Sequence, residues 1–177
     1  MYLRILCSVV ALSLLSCVGI KPASSSKANR FFETFYVGDE GIQYFIKPIA
    51  FQGENDSELL GDFNFRSRGD STSEVIFNFS ILSDVFYKDI DSLTITSQSH
   101  QTTTSLVTLT YNESSKQYIS RFTSTLPSGR HIIDLFGSTD WRIDIYSKEK
   151  HTHFTSENRK TQRKILSLQE HLFVFLQ

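Results

Sequence analysis

The side chains best suited to chemistry gather in the last third of the chain. His151 and His153 stand two residues apart, so on a strand both project from one face. That is close enough to share a metal ion, with His131, His171 or Asp144 to complete a ligand set. No defined third ligand accompanies them, nor a glutamate at the helical spacing of a metalloprotease, and an exposed polar strand face explains the pair as well. No metal is assigned. Asp140 and Asp144 share a strand face and form a candidate carboxylate pair, but acid–base chemistry needs two carboxyls in unequal environments. Arg142 between them makes a cross-neutralised surface ladder the simpler reading. Serines are plentiful, yet none lies in the Gly-x-Ser-x-Gly turn that raises a nucleophile between strand and helix, and Gly137 and Ser138 lack the remainder. The 8 glycines are scattered singly, so no phosphate-cradling loop is present and no cofactor is expected. The sequence therefore assigns no catalytic residue and points to a protein that binds rather than reacts.

Recognition groups are more plentiful. Arg68, Gly69, Asp70 and Ser71 spell the adhesive tripeptide of integrin ligands with its common following serine, but Gly with Asp is ordinary turn chemistry at a hairpin tip. Arg159, Lys160, Arg163 and Lys164 are the only concentrated basic stretch. On a helix they form a wide positive face, suited to anionic lipid headgroups, lipopolysaccharide phosphates or an acidic partner protein, or simply to solvent. Tyr44, Tyr111 and Tyr118 are candidate contact residues for a glycan or peptide. Trp141 is assigned to the core, because it shares a strand face with Ile143 and Ile145. Lys and Arg total 18 against 19 Asp and Glu, a net charge of -1 that offers no overall attraction to nucleic acid, and no nucleic-acid partner is expected.

The first residues carry an address. Arg4 precedes an apolar run from Ile5 to Leu15, followed by Ser16 and Cys17, which is the layout of a secretory signal ending on a small residue. The run breaks at Ser16 to Gly19 and ends at Lys21 and Pro22, well short of the roughly 20 apolar residues a bilayer-spanning helix needs. Leu14, Leu15, Ser16 and Cys17 resemble the lipobox of bacterial lipoproteins, a likeness that covers about the first tenth of the chain. The resemblance implies a diacylglyceryl group on the Cys17 sulfur and cleavage just before it. It implies a signal peptide over 1–16 and a membrane partner reached through two or three acyl chains, since one chain binds only reversibly. Acidic residues usually follow the cysteine closely in surface-displayed lipoproteins; none occurs here before Glu33, so the resemblance implies a protein facing the periplasm. Val18, rather than Asp, after the cysteine implies the outer membrane. Cys7 lies in the apolar core and is lost with it, so the body has no thiol beyond the lipidated one and no structural disulfide.

The body of the chain must position these groups. Residues 17–30 hold little to bury and form a flexible tether, and 31–177 suffice for one β-rich domain. Alternating apolar residues predict strands over Tyr44–Phe51, with an edge or bulge at Pro48, and over Phe63–Phe65 and Val75–Ile81 as a hairpin. They predict further strands around Leu93 and Ile95, over Leu106–Tyr111 and Tyr118–Phe122, and over Trp141–Ile145. Ile132 to Phe136, behind Pro127 and Ser128 and before Gly137, suits a short helix, with a strand nearly as good. Ile165, Leu168, Leu172 and Phe175 recur at helical spacing, predicting a C-terminal amphipathic helix whose last residues, Leu172 to Leu176, are β-prone. The expected fold is mainly β, an antiparallel sheet or β-sandwich with one or two helices, the last near the C-terminus. The expected function is a lipid-anchored accessory or binding subunit of an envelope assembly with an envelope protein as partner, or alternatively a glycan- or peptide-binding lipoprotein. A flat apolar patch or unpaired strand edge favours the first, and a concave pocket lined by Tyr and Trp the second.

Overall fold

Alternation of apolar and polar side chains makes strands here because it gives each strand one face to bury and one to leave in water. The computed structural model describes residues 30–176 apart from Asp70, Ser99, Leu106, Ser115, Lys116, Pro127, Ser128 and Glu149. Cys7, Cys17, the leader, the tether up to residue 29 and Asp70 of the tripeptide therefore lie outside the described residues, as do Pro127 and Ser128. The strands are β1 (Phe32–Tyr36), β2 (Ile42–Gly53), β3 (Glu58–Arg68), β4 (Ser71–Thr72), β5 (Val75–Ser83) and β6 (Ser92–Ser97). Next come β7 (His100–Thr104), β8 (Val107–Ser114), β9 (Tyr118–Leu126), helix α1 (Gly129–Leu135), β10 (Trp141–Ser147) and β11 (Lys150–Thr155). Helix α2 (Arg159–His171) and a 3-10 turn (Phe173–Phe175) complete the chain.

All strands join one antiparallel sheet in the order β7-β6-β10-β11-β2-β3-β5-β9-β8, with β1 beside β2 and β4 beside β3. The sheet curls until β7 comes against β9, near its opposite edge. Among the described residues the fold is thus mainly β, a single curled sheet rather than a sandwich of two, with two helices, the second near the C-terminus. Its concave face holds the core. A row of rings runs across it from Phe63 to Phe77 (4.5 Å), Phe77 to Phe79 (5.2 Å) and Phe79 to Phe122 (5.3 Å). Phe136, just after α1, and Phe173 in the 3-10 turn stack at 4.2 Å and close the core against Trp141.

The expected hairpin is present as β3 and β5, paired from Glu58 with Leu82 to Asn64 with Ile76. Pro48 sits in a bulge, where the β2–β3 register shifts between Ile46 and Ile49 and its missing N–H removes no regular ladder bond. Strand β7 went unassigned from sequence. Its residues His100 to Thr104 are all polar, and Thr102 and Thr104 are buried where helix α1 and β9 pack against the strand. The chain end also differs from expectation. Helix α2 stops at His171, Leu172 donates to Leu168 O (2.9 Å), and the tighter turn sends Phe173 into the core. Phe175 is consequently 81% exposed rather than on the buried stripe, and Leu172 to Leu176 add no strand.

Candidate functional site

The convex face of β1, β2 and β3 carries an open apolar groove. On β2, Tyr44 and Ile46 turn inward, so Gln43, Phe45 and Lys47 turn out, and on β1 Glu33 and Phe35 do the same. Phe35 (50% exposed) and Phe45 (41%) meet edge to face at 5.5 Å. With Val37 they line a groove of about 670 Å³. Its far wall is polar and fixed: Gln43 Nε2 donates to Asn64 Oδ1 (2.9 Å) and to Phe65 O (3.0 Å), and Arg66 Nε donates to Gln43 Oε1 (3.2 Å). Arg66 also pairs with Glu40. These bonds hold the amide and guanidinium groups beside the two rings rather than leaving them free to fold over them. Among the described residues β1 pairs only with β2, so its other edge presents backbone donors and acceptors to an incoming chain.

Sequence reasoning did not single out Phe35 or Phe45. The signal existed at Phe45, an aromatic side chain flanked at i±2 by Gln43 and Lys47, on the polar face of its own strand.

The basic run of α2 is divided by its packing. Asn158 caps the helix by accepting from Lys160 N (2.8 Å), and Thr161, Ile165 and Leu168 turn to the core. Arg159, Lys160 and Arg163 are exposed, whereas Lys164 is not wholly free in solvent. β1 covers β2 over Ile42–Ile46 and β11 covers it at Gln52 and Gly53, which leaves a stretch of edge between them. Helix α2 fills that stretch: Thr161 Oγ1 donates to Ala50 O (2.6 Å) and Lys164 Nζ to Pro48 O (2.6 Å). Lys164 Nζ also lies 5.4 Å from the Phe31 ring centre. Burial of this ammonium, with lesser contributions from Lys47, Lys160 and Arg30, pulls its pKa down to about 8.

The stability consequence has a definite sign. Below about pH 8 Lys164 is charged both folded and unfolded, and the folded state bears the cost of that partly buried charge. As pH rises from about 8 toward the ordinary lysine value, the folded state has lost the proton and the unfolded state has not, so stability rises. Denaturant midpoints of the wild type are expected to increase between about pH 7.5 and 9.5, and Lys164→Met to flatten the rise. An unchanged slope in Lys164→Met would assign the rise to another group. The window closes near pH 10, because burial raises the Tyr44 pKa and its ionisation opposes folding there.

The candidate chemistry of β10 and β11 resolves into an ion cluster. Trp141, Ile143 and Ile145 are buried in the core, and Arg142 and Asp144 share the opposite face. Arg142 grips the Asp144 carboxylate through Nε (3.0 Å to each oxygen) and Nη2 (2.9 Å), and His151 Nε2 lies 2.9 Å from Asp144 Oδ1. Burial pushes the Asp144 pKa up, but the hydrogen bonds from Arg142 and His151 outweigh it, and the carboxyl titrates below its usual range. A carboxylate so held is a poor proton donor near neutral pH. Asp140 precedes β10, its backbone N–H donating to Ser138 Oγ (3.1 Å), and among the described residues no ion pair joins it to Arg142 or Asp144. His153 faces Glu54 at 4.0 Å, not Asp144. Among the described residues no group of three or more His, Cys, Asp or Glu side chains is arranged to hold a metal ion. His151, His153, Tyr87 and Ser57 line a small polar hollow of about 100 Å³.

The tyrosines do not converge on one surface. Tyr44 stacks on Phe65 (5.1 Å) on the concave face, at the end of the sheet where β2 begins. Tyr118 shares that face but pairs with Ser83 at the opposite end, its ring against Phe86. Tyr111 pairs with Arg121 on the convex face and donates to Glu113 Oε2 (2.8 Å). Comparison with protein-family models, with curated proteins and with solved structures finds no match to this chain. Among the described residues no helix is long and apolar enough to cross a membrane.

Proposed function

We propose that this chain is a lipid-anchored protein of the bacterial cell envelope, held through Cys17 at the outer membrane and facing the periplasm. It acts without catalysis, as a binding or accessory subunit of an envelope assembly. The observation that carries the binding part is the exposed aromatic groove of Phe35, Val37 and Phe45 on the convex face, bordered by the unpaired edge of β1. Exposed aromatic area of this kind is costly to leave in water and gains free energy when covered. Its occupant is an extended segment of a partner protein with apolar side chains. Such a segment would pair with the β1 edge through its backbone and set alternate side chains against the two rings. The Gln43–Asn64–Arg66 wall supplies fixed polar groups for register. The lipid anchor lies just upstream of β1 in the chain, and confinement at the membrane raises the effective concentration for a membrane-held partner.

The experiment places a photo-crosslinking side chain at position 35 or 45 in cells and, as a control, at the exposed position 146. A discrete protein adduct is expected from 35 and 45 and not from 146. Phe35→Asp together with Phe45→Asp is expected to leave the fold intact and to weaken partner retention at least about tenfold, roughly 1.4 kcal/mol. Cys17→Ser is expected to shift the protein out of the membrane fraction. Equal adducts at all three positions would remove the groove as a partner surface, and full membrane retention of Cys17→Ser would remove the anchor.

A further inference from the structure

We propose that Arg30, Lys47, Lys160 and Lys164 form a binding site for a phosphate oxyanion, of the monoester or diester class. The proposal goes beyond the partner groove and stands without it. Four cations from three separate segments are gathered here: Arg30 and Lys164 over the Phe31 ring, Lys47 through its N–H to Phe31 O (2.9 Å) and next to Pro48, whose carbonyl Lys164 binds, and Lys160 one turn before Lys164 on α2. The aromatic ring of Phe31 lies among them, with the Arg30 guanidinium carbon 5.6 Å and Lys164 Nζ 5.4 Å from its centre. Only Glu33 opposes them among the described residues, pairing with Lys47 Nζ at 2.9 Å.

Such an assembly is electrostatically unfavourable when empty of anions, because each added cation raises the cost of the others. The sheet and helix impose it regardless. Lys164 is held by Pro48 O and Lys47 by Glu33, so neither can swing away without breaking a short hydrogen bond or ion pair. Burial is the main reason the Lys164 pKa falls, and the neighbouring cations Lys47, Lys160 and Arg30 add to it. One Lys164 N–H goes to Pro48 O, leaving two donors, and Lys160 and Arg30 are exposed and rotatable. A tetrahedral oxyanion provides enough acceptor oxygens for all of them and relieves the mutual repulsion at once. Arg159 and Arg163 lie on the exposed side of α2. The site is thus defined by packing, not by the run of basic residues as written in the sequence.

The test uses the full-length protein and follows the Lys164 Cε–Hε resonance through a pH titration. Inorganic phosphate is compared with sodium chloride at equal ionic strength, and vesicles of phosphatidylcholine are compared with vesicles that also contain phosphatidylglycerol. Phosphate is expected to raise the Lys164 midpoint where chloride does not, and Lys160→Gln or Arg30→Gln to weaken that response about tenfold. Lys88→Gln, an exposed lysine elsewhere with the same charge change, is expected to leave it unaltered. A response to inorganic phosphate supports the site with a free phosphate ligand. A response only to the anionic vesicles, lost in Lys160→Gln but not in Lys88→Gln, supports it with a lipid headgroup. Equal effects of phosphate and chloride without vesicle selectivity, or Lys160→Gln and Arg30→Gln behaving like Lys88→Gln, would overturn the proposal.

Discussion

Trp141→Ala is expected to lower the stability of the domain by about 3–5 kcal/mol, the range for deleting a fully buried aromatic side chain. Trp141 has no exposed surface and touches rings from three directions: Phe136 at 4.7 Å, Phe51 at 5.9 Å and Phe63 at 6.0 Å. Truncation would leave a void among side chains that the sheet on one side and the α1 segment on the other prevent from collapsing. It would also leave Ser138 O without the Trp141 Nε1 donor at 2.9 Å. Because single domains are typically stable by only about 5–15 kcal/mol, such a loss removes a large share of the total. The measurement is a denaturant midpoint followed by circular dichroism, since Trp141 is the chain's only tryptophan and its fluorescence vanishes with it. Trp141→Phe keeps most of the ring area and should cost markedly less. Equal losses from the two substitutions would mean that the indole hydrogen bond, not the packing, carries the effect.

Gly61→Val is the second large effect, and it runs the other way, from too little space. Gly61 continues the inward face of β3 between Leu59 and Phe63, where a large apolar residue is otherwise the rule. A Cβ there would come within 2.6 Å of Phe77 Cε2 and 2.9 Å of its Cζ. The ring cannot yield, being buried and stacked between Phe63 and Phe79. Overfilling a packed core costs typically about 1–3 kcal/mol, and the branched valine should reach or pass the top of that range. Gly61→Ala should fall within it. Combining Gly61→Ala with Phe77→Leu should recover much of the loss, since the two changes exchange volume at one place and are therefore non-additive. Simple additivity of the two costs would show that the clash is not with Phe77.

Much of the architecture was legible because strand alternation is a local signal. Val75, Phe77, Phe79 and Ile81 had to share a face whichever strand lay next to them, and Trp141, Ile143 and Ile145 could be placed in the core on parity alone. The bulge at Pro48 was equally local, following from a missing donor. Strand β7 was not legible, because its polar residues gain a buried face only from distant segments, helix α1 and the curled-over β9. Phe175 was misplaced for a related reason. Helical spacing continues past His171 in the sequence, but the pocket beside Phe136 is reached by Phe173 after the chain tightens.

The candidate surfaces divide along the same line. The sequence by itself determined the mainly β fold class, the hairpin, the helix near the C-terminus and the core position of Trp141, because each rests on neighbours in the chain. Which groups meet was decided only by the tertiary structure. Tyr44, Tyr111 and Tyr118 were separated by strand register and by face, while Phe35 and Phe45 were joined by the β1–β2 pairing. The four consecutive-looking cations of α2 were split, Lys164 turning to Pro48 and toward Arg30 and Lys47, residues more than a hundred positions away. Contact between distant segments depends on sheet order and curl, and those depend on the whole set of pairings rather than on any one stretch of chain.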